Sequence, residues 1–223
     1  MRYSQLPTGR RSILAMAFAA LVTGASFPWP ALAQTAPARL TAEQQADVER
    51  MQAYLSGIRT MQARFVQVAS NGAYAEGTFY LSRPGKLRFQ YDPPAPLLII
   101  SDGTVVYSYD TALKQTTQIP VNLTPLWFLL RERISFTGDV TLTRYDRQAG
   151  VVRLTLVQTK DPAAGSVELA LQSEPLALRQ WSVTDGQGIT TNIALTEARQ
   201  DVRLDGKLFV FNENQPGGVQ QHQ

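Results

Sequence analysis

From residue 61 onward, apolar and polar side chains alternate along the chain with a period of two. Alternation of this kind predicts half-buried β-strands, and Gly-, Pro-, Asn- and Asp-containing turns separate them. Because the strands are short and closely spaced, they predict one antiparallel, meandering sheet that curls through twist and bulges. The predicted strands cover residues 61–69, 75–81, 86–91, 97–101, 105–109, 114–119, 139–146, 150–159, 166–172, 177–184, 189–198 and 207–211.

One amphipathic helix is predicted ahead of the strands. Thr41 can cap its first turn, with Gln44 as the capping-box partner three residues later. Apolar residues then recur at positions i, i+3, i+7 and i+10, which places them on one face of a helix. The polar face carries mixed charges, so the apolar stripe is expected to pack on the core rather than on a membrane. The stripe consists of Val48, Met51, Leu55 and Ile58.

A second, shorter helix is predicted inside the strand-rich region. Thr124 and Pro125 form a helix start, because proline is favoured at the first helical position. The five residues that follow, 126–130, are all large and apolar. A short helix without a polar face is either buried on all sides or covers an apolar cavity. The pattern alone leaves both possibilities open.

The N-terminus has the layout of an export signal. Three arginines precede a charge-free apolar run from Ile13 to Val22, and Ala31-Leu32-Ala33 follows. This order predicts a secretory signal peptide over residues 1–33, cleaved between Ala33 and Gln34. The run is shorter than the ~20 residues that span a bilayer, which disfavours an uncleaved anchor. Arg10-Arg11 leaves general secretion and twin-arginine export both open.

Composition and charge exclude several classes of protein. The 223 residues are 44% hydrophobic and 17% charged, which is incompatible with intrinsic disorder. The formal charge of +3 comes from Arg2, Arg10 and Arg11 in the predicted signal peptide, which contains no acidic residue. The remaining chain, residues 34–223, is therefore formally neutral. No electrostatic argument for nucleic-acid binding remains.

Few residues are available for catalysis or metal binding. The chain has no cysteine, and its one histidine is His222 in the polar tail. Thiol chemistry, disulfides and cysteine lipidation are thereby excluded. If the protein were a glycosidase, Asp102 and Asp110 would be its candidate catalytic carboxylates. Asp102 lies in a tight turn, however, and neither residue has a plausible second carboxylate as its catalytic partner. We therefore expect no enzyme activity, no metal and no cofactor.

Two motifs in the strand region resemble a known family. The first is Gly77-x-Phe79-x-Leu81-x-Arg83-Pro84-Gly85-Lys86-Leu87-Arg88-Phe89-x-Tyr91, and the second is Ile100-Ser101-Asp102-Gly103 followed by Tyr107-x-Tyr109-Asp110. Together with the helix before Phe65-Val66-Gln67 and the Thr124-Pro125 segment, they resemble the periplasmic outer-membrane lipoprotein carrier family, LolA. The resemblance covers about residues 41–211 in the family's order.

The resemblance implies a fold and a function. The expected fold is mainly β with α: an unclosed half-barrel of one curved antiparallel sheet, lidded by the N-terminal helix and short internal helices, in one domain over residues 34–223. The implied function is a monomeric periplasmic carrier that binds the acyl chains of lipoproteins. It would receive them from an inner-membrane ABC transporter and deliver them to an outer-membrane receptor or to the outer membrane directly.

The resemblance also implies site residues. Cargo contacts are expected from Phe89, Ile99 and Tyr107 on the sheet and from Trp127 and Leu129 on the lid. Arg83 is expected to latch the lid by hydrogen bonds to backbone carbonyls near Leu129, since a guanidinium has five donors in a fixed fork. For the apolar residues the alternative is ordinary core, and for Arg83 it is a solvated turn.

Three related functions compete with this one. A carrier of another envelope lipid would have the same features. A lipid-sensing envelope-stress regulator of the same fold usually carries a second domain, and only 12 residues follow Phe211. The outer-membrane receptor of the same fold is anchored through a lipidated cysteine, which this chain does not have.

Overall fold

A computed structural model describes residues 36–212 of the chain. The predicted signal peptide and its cleavage site, and most of the polar C-terminal tail, lie outside these residues. Across residues 36–212, no helix is both long enough and apolar enough to cross a membrane.

The first element is the predicted helix, α1 (Ala42–Gly57). The side chain of Thr41 accepts a hydrogen bond from the backbone N–H of Gln44, and the Gln44 side chain accepts one from the backbone of Thr41. This confirms the predicted capping box, which pairs two donors that a helix start otherwise leaves free. The whole predicted stripe is buried, from Val48 to Ile58. Its packing fixes α1 against one face of the sheet.

The rest of the described chain is dominated by eleven strands. They are β1 (Thr60–Ala69), β2 (Tyr74–Ser82), β3 (Lys86–Tyr91), β4 (Leu97–Asp102), β5 (Val105–Asp110), β6 (Gln115–Pro120), β7 (Val140–Gln148), β8 (Val151–Gln158), β9 (Gly165–Ser173), β10 (Leu176–Asp185) and β11 (Thr190–Gln200). Short 3-10 turns occupy Val121–Leu123, Trp127–Leu130, Pro162–Ala164 and Gly206–Phe209.

All eleven strands form one antiparallel sheet in the order β6-β5-β4-β3-β2-β1-β11-β10-β9-β8-β7. Two meanders, β1–β6 and β7–β11, are joined where β1 pairs with β11. The outer strands β6 and β7 are at opposite ends of this order, so the sheet is not closed. Register shifts in β7, β10 and β11 mark bulges, which increase local twist and bend a sheet. The predicted unclosed half-barrel is therefore confirmed.

Each face of the sheet has its own cover. The inner face packs against α1 and the lid segment (residues 121–130), and together they enclose the main hydrophobic core. The outer face has a small cluster of Leu98, Ile100 and Tyr109. The strap (residues 206–211) reaches this second cluster, since Phe211 packs against it. The inner core is the one that α1 and the lid segment could uncover by moving.

Two predicted elements differ from the structure. The short helix expected from Pro125 starts later and is of the 3-10 type, at Trp127–Leu130, with the backbone N–H of Leu129 bonded to the Leu126 carbonyl at 2.9 Å. Four apolar residues form no complete i→i+4 turn by themselves, so packing decides their conformation. Residues 207–211 are not a strand, because Asp205 caps a 3-10 turn by accepting from the Lys207 N–H, at 2.9 Å. Burial of the consecutive residues Leu208 and Phe209 breaks the alternation of a strand.

Candidate lipid-binding cavity

An apolar cavity of about 50 Å³ lies between the inner face of the sheet, the end of α1 and the lid segment. Its walls come from β1–β3, β10, α1 and the lid segment, which are distant in sequence. Strand alternation turns every second side chain of β2 and β3 towards it. The lining consists of Leu55, Ile58, Met61, Phe79, Leu81, Arg83, Leu87, Phe89, Leu126, Leu129, Leu130, Leu178 and Trp181.

Three aromatic rings form one wall of the cavity. The ring centroids of Phe79 and Phe89 are 4.8 Å apart, and those of Phe79 and Trp181 are 5.7 Å apart. Phe89 and Trp181 complete the triangle at 6.2 Å in an edge-to-face arrangement. These distances lie in the range that favours aromatic pairs. The wall is a continuous apolar surface carried by three strands of the sheet, β2, β3 and β10.

The small volume of the cavity indicates that the structure is a closed state of the protein. Pockets that hold drug-sized ligands measure roughly 300–1,000 Å³, so a cavity of about 50 Å³ is too small for an acyl chain. An acyl chain fits only after α1 or the lid segment moves away from the sheet. The site is therefore a closed apolar seam that must open to bind a long ligand.

Arg83 joins three parts of the molecule at the rim of this cavity. It follows β2, and its Nε donates to the Leu129 carbonyl of the lid segment at 2.8 Å. Its Nη1 donates to the carbonyls of Leu55 and Ile58 at the end of α1, the latter at 2.9 Å. Carbonyls in the last turn of a helix lack intrahelical partners, so α1 supplies free acceptors there. One side chain thus binds the sheet, the helix and the lid segment together.

Within residues 36–212, the charge of Arg83 has no acidic partner. Burial is the main cause that lowers the pKa of its guanidinium from 12.5 to about 10, and the nearby positive charge of Arg59 adds to the effect. Since about 10 is well above neutral pH, Arg83 remains a cation, and carbonyl oxygens are the acceptors of its bonds. Hydrogen bonds from a charged donor are among the stronger ones in proteins.

Backbone contacts reinforce this junction. The N–H of Gly85 donates to the Leu130 carbonyl at 2.8 Å, so the β2–β3 turn and the lid segment share two links. The Ser101 hydroxyl donates to the Gly85 carbonyl at 2.7 Å and ties the turn to β4. Gly85 has φ +78°, and a Cβ there would lie 2.6 Å from the Cα of Gly103. A glycine is required for the β2–β3 turn to approach the β4–β5 turn at Gly103 this closely.

Two of the expected cargo-contact residues lie in the cavity wall. Phe89 is on the inner face of β3, within the aromatic wall. Leu129 has its side chain in the lining, while its carbonyl accepts the Arg83 bond. The expected hydrogen bond between Arg83 and a carbonyl near Leu129 is thus present in the closed state.

The other three expected residues lie elsewhere. Ile99 pairs with Phe89 across β3 and β4 and shares its face, but it packs at the edge of the core, outside the lining. Trp127 lies in a separate surface groove with the Arg131 guanidinium 4.1 Å from its ring centroid, in a cation–π contact. The 3-10 turn directs Leu126, Leu129 and Leu130 to the cavity instead.

Tyr107 lies on the opposite face of the sheet, so its expected place in the cavity is wrong. It pairs with Ile100, which points away from α1 because its neighbour Ile99 points inward. The Tyr107 ring stacks on Phe211 of the strap, with centroids 4.9 Å apart. Its hydroxyl donates to Asp102 Oδ2 at 3.3 Å. Tyr107 therefore belongs to the outer cluster.

Sequence reasoning missed the contribution of β10 to the cavity. Leu178 and Trp181 line it, although no motif distinguished this strand. Trp181 pairs with Leu169 and Ile193, both buried, so it shares the inner face. A tryptophan at an apolar position of an alternating strand was the available signal. Its distance to Phe79 depends on the β1–β11 pairing, which local patterns do not give.

Comparison with known proteins agrees with this architecture. The family model described as "Outer membrane lipoprotein carrier protein LolA" matches residues 56–212. An outer-membrane lipoprotein carrier protein of Methylococcus capsulatus is 32% identical over 180 residues, which cover 76% of this chain and 84% of the relative. Another, from Pseudomonas paraeruginosa, is 31% identical over 187 residues, covering 80% of this chain and 88% of the relative.

Solved structures are less similar in sequence. A crystal structure of a LolA superfamily protein from Nitrosomonas europaea aligns with a TM-score of 0.43 and 12% identity, over 73% of this chain and 97% of that protein. The family match covers most of the chain, and the relatives match over most of their own length. The chain belongs to the outer membrane lipoprotein carrier protein LolA family.

Proposed function

We propose that this protein is a periplasmic carrier that binds the acyl chains of lipoproteins and delivers them to the outer membrane. The observation that carries the proposal is the apolar cavity between the sheet, α1 and the lid segment, closed by Arg83. The relatives are named outer-membrane lipoprotein carrier proteins, which supports the same cargo for this chain.

Acyl chains need this kind of site to cross an aqueous compartment. Each buried CH₂ group contributes about 0.8 kcal/mol, so a lipoprotein's acyl chains are strongly held by a membrane. A carrier must offer a comparable apolar surface and keep water away from it. The aromatic wall and the leucines of the lid segment supply that surface here. Phe89 and Leu129 are the proposed cargo contacts among the residues expected from the sequence.

Arg83 is the proposed latch between the closed and open states. Its bonds end on α1 and on the lid segment, so breaking them removes a link that both covers of the cavity share. Hydrogen bonds to a charged group contribute about 1.5–3 kcal/mol, enough to hold the closed state yet small beside the burial of an acyl chain. Cargo can therefore open the latch, and closure can help to expel cargo at the target membrane.

The route follows from the same function. Residues 1–33 are the proposed cleaved signal peptide, and residues 34–223 act as a monomeric single domain in the periplasm. An inner-membrane ABC transporter supplies the lipoprotein, and an outer-membrane receptor or the membrane itself accepts it. The cycle transfers a lipid-bearing protein between sites without making or breaking a covalent bond, so it requires no catalytic residue, metal or cofactor.

The test is the identity and fate of the bound cargo. The protein is purified from the periplasm, and the co-purifying molecules are identified by mass spectrometry. We expect acylated lipoproteins, and we expect them to move from the loaded carrier to outer-membrane vesicles. Free lipids of a single class would contradict a lipoprotein cargo and support a carrier of another envelope lipid. Absence of any acylated molecule, combined with failure to accept one in vitro, would refute the carrier function.

A further inference from the structure

The indole of Trp181 leaves a polar atom unused in the cavity wall. Trp181 is 4% exposed, and its Nε1–H has no hydrogen-bond partner among the residues that the structure describes. Across residues 36–212, Nη2 of Arg88 is the other buried side-chain nitrogen in this condition, and it lies on the outer face. Buried donors without an acceptor are uncommon in native proteins, because each gives up its bond to water. Packing of the indole ring explains its burial but not its unpaired N–H, which therefore requires a separate explanation.

The strand itself keeps acceptors away from this nitrogen. Gln180 and Ser182, the neighbours of Trp181 along β10, point to the other face, where both bond to Asn192. On the inner face, the cross-strand partners of Trp181 are Leu169 and Ile193, which are apolar. The rings of Phe79 and Phe89 complete its surroundings. No side-chain oxygen comes from any of these residues on the inner face.

The polar groups of the lining are all donors. Arg83 and Trp181 are the residues of the lining with nitrogen or oxygen in their side chains, and neither a guanidinium nor an indole has an acceptor. The thioether of Met61 is only a weak acceptor. The Arg83 donors already reach carbonyls in the closed state, whereas the Trp181 donor is unpaired. A ligand that complements this wall is apolar and brings an acceptor but no donor. An acyl ester has this chemistry, since its carbonyl oxygen accepts and its chain is apolar.

We propose that the Trp181 indole N–H donates a hydrogen bond to an acyl carbonyl of the cargo, so that Trp181 selects acyl groups over equally apolar chains without a carbonyl. The inference rests on the proposed function, because it assigns a role within the same cavity. Nε1 is shielded from solvent in the closed state. The bond therefore forms only after the latch opens and the acyl group enters.

A competing use of the N–H lies within the wall. The edge-to-face contact of Trp181 with Phe89 could give the donor a weak interaction with a ring face. Such an interaction is complete without cargo and gives no preference for a carbonyl. The two roles therefore differ in one measurable property, the selectivity between ester-linked and ether-linked chains.

The experiment compares two probes that differ in that carbonyl. Dihexanoyl phosphatidylcholine and its dihexyl ether analogue are titrated, below their micelle-forming concentrations, into the protein purified from the periplasm. Wild-type protein, Trp181→Phe and Trp127→Phe are compared by isothermal titration calorimetry, with far-UV circular dichroism to verify folding. Trp127→Phe is the matched control, because it makes the same exchange at a tryptophan outside the cavity.

We expect wild-type protein and Trp127→Phe to bind the ester about three- to tenfold more tightly than the ether, as one net hydrogen bond allows. Trp181→Phe should bind the two probes within twofold, through loss of ester affinity. An equal affinity of the wild type for both probes, or an ester preference retained in Trp181→Phe, would overturn the role of Trp181 alone. Failure of the wild type to bind either probe would instead count against the acyl-binding cavity, and hence against the proposed function.

Discussion

Arg83 and Arg88 lie on the same β-hairpin but serve opposite faces of the sheet. Arg83 follows β2 and donates to the Leu129 carbonyl of the lid segment. Arg88 is in β3, only 2% exposed, and its Nη1 donates to the Leu208 carbonyl of the strap at 3.1 Å. Each guanidinium thus bonds to the backbone of a short 3-10 turn, and burial lowers the pKa of both.

The two junctions differ in what else holds the covering segment. Arg83 also reaches Leu55 and Ile58, so three carbonyls on two separate elements converge on it. Arg88 has one backbone acceptor and a 3.3 Å bond from Nε to Gln90 Oε1, and its Nη2 has none. The strap compensates by burying Leu208 and Phe209. The lid segment also buries Phe128, Leu129 and Leu130, so burial alone does not distinguish the two covers. The inner cover borders an apolar cavity and has three carbonyls bonded to one arginine, which makes it the cover that can reopen.

The largest effect is expected when the strap is removed. Deleting residues 206–223 exposes the outer cluster and loses the burial of Leu208 and Phe209, which contribute about 1.5–3 kcal/mol each. We expect the free energy of unfolding to fall by about 3–6 kcal/mol, measured by urea denaturation followed by circular dichroism. Binding of the uncharged dye N-phenylnaphthylamine to the inner cavity should stay within twofold of wild type.

That pair of measurements decides whether the outer junction is structural. A loss in unfolding free energy below about 1 kcal/mol would mean that the strap is not packed as the buried side chains indicate. A large rise in dye affinity would mean that the strap also controls the inner cavity, which would remove the contrast between the two faces.

The next largest effect is expected for Arg83→Leu. This change removes every donor but keeps an aliphatic side chain, so the closed state loses about 1.5–3 kcal/mol and opening becomes roughly 10- to 150-fold more favourable. Dye affinity should rise and far-UV circular dichroism should not change. In a transfer assay we expect loading to persist while delivery to outer-membrane vesicles slows, because closure no longer helps to expel the acyl chains.

Arg59→Leu is a suitable control for this substitution. Arg59 is also an arginine near the end of α1, but it forms an exposed ion pair with Glu132. Exposed ion pairs contribute little to stability, so dye binding and delivery should match the wild type. Delivery at the wild-type rate by Arg83→Leu itself would show that Arg83 does not act as a latch.

Local patterns predicted what local interactions decide. The capping box of α1 and the alternation of β2 and β3 need only neighbouring residues, and both were correct. The position of Tyr107 on the outer face could also have been predicted from the sequence. Because Phe89 pairs with Ile99 and the Asp102-Gly103 hairpin pairs Ile100 with Tyr107, following the register from strand to strand turns Tyr107 outward.

Other features depend on contacts between distant parts of the chain. Trp181 reaches the aromatic wall only through the β1–β11 pairing, which joins the two meanders. The lid segment takes its 3-10 form from packing and from hydrogen bonds to the β2–β3 turn, since residues 126–130 carry no periodic signal. The Arg83 bond to Leu129 was expected only because a family resemblance supplied the pairing that sequence spacing does not.

A smaller effect is expected for Arg83→Lys, together with a change in pH dependence. One ammonium cannot reach three carbonyls as the planar guanidinium does, so the closed state should lose about 1 kcal/mol at pH 7. Burial lowers the Arg83 pKa to about 10, so the wild-type guanidinium stays protonated from pH 6 to 9. The equilibrium between the closed and open states of the wild type should therefore not change over this range. Dye affinity measured over this range tests both statements.

The direction of the pH dependence expected for Arg83→Lys follows from the burial of this site. A lysine titrates near 10.4 when exposed, and desolvation at this site would lower its pKa in the closed state. The open state then binds the proton more tightly, so closure strengthens as pH rises through the lowered pKa towards about 10.4. Dye affinity of Arg83→Lys should therefore fall with rising pH. A rise instead would indicate an acidic partner, which none of the described residues provides to Arg83.

The smallest effect is expected for Arg88→Met. Methionine has a similar unbranched shape and removes a buried charge whose Nη2 has no partner, at the expense of the bond to the Leu208 carbonyl. Replacing buried ionic groups by apolar ones of similar volume is often neutral or stabilising, so we expect the free energy of unfolding to change by less than about 1 kcal/mol. Urea denaturation of Arg88→Met, with Arg88→Ala as the cavity-forming control, measures this change.

The alanine variant should lose about 2–4 kcal/mol of unfolding free energy, since it leaves an unfilled space under the strap. If methionine destabilises the protein as much as alanine does, the bond to Leu208 holds the strap. The two arginines would then act alike, each as a bond that holds a covering segment to the sheet.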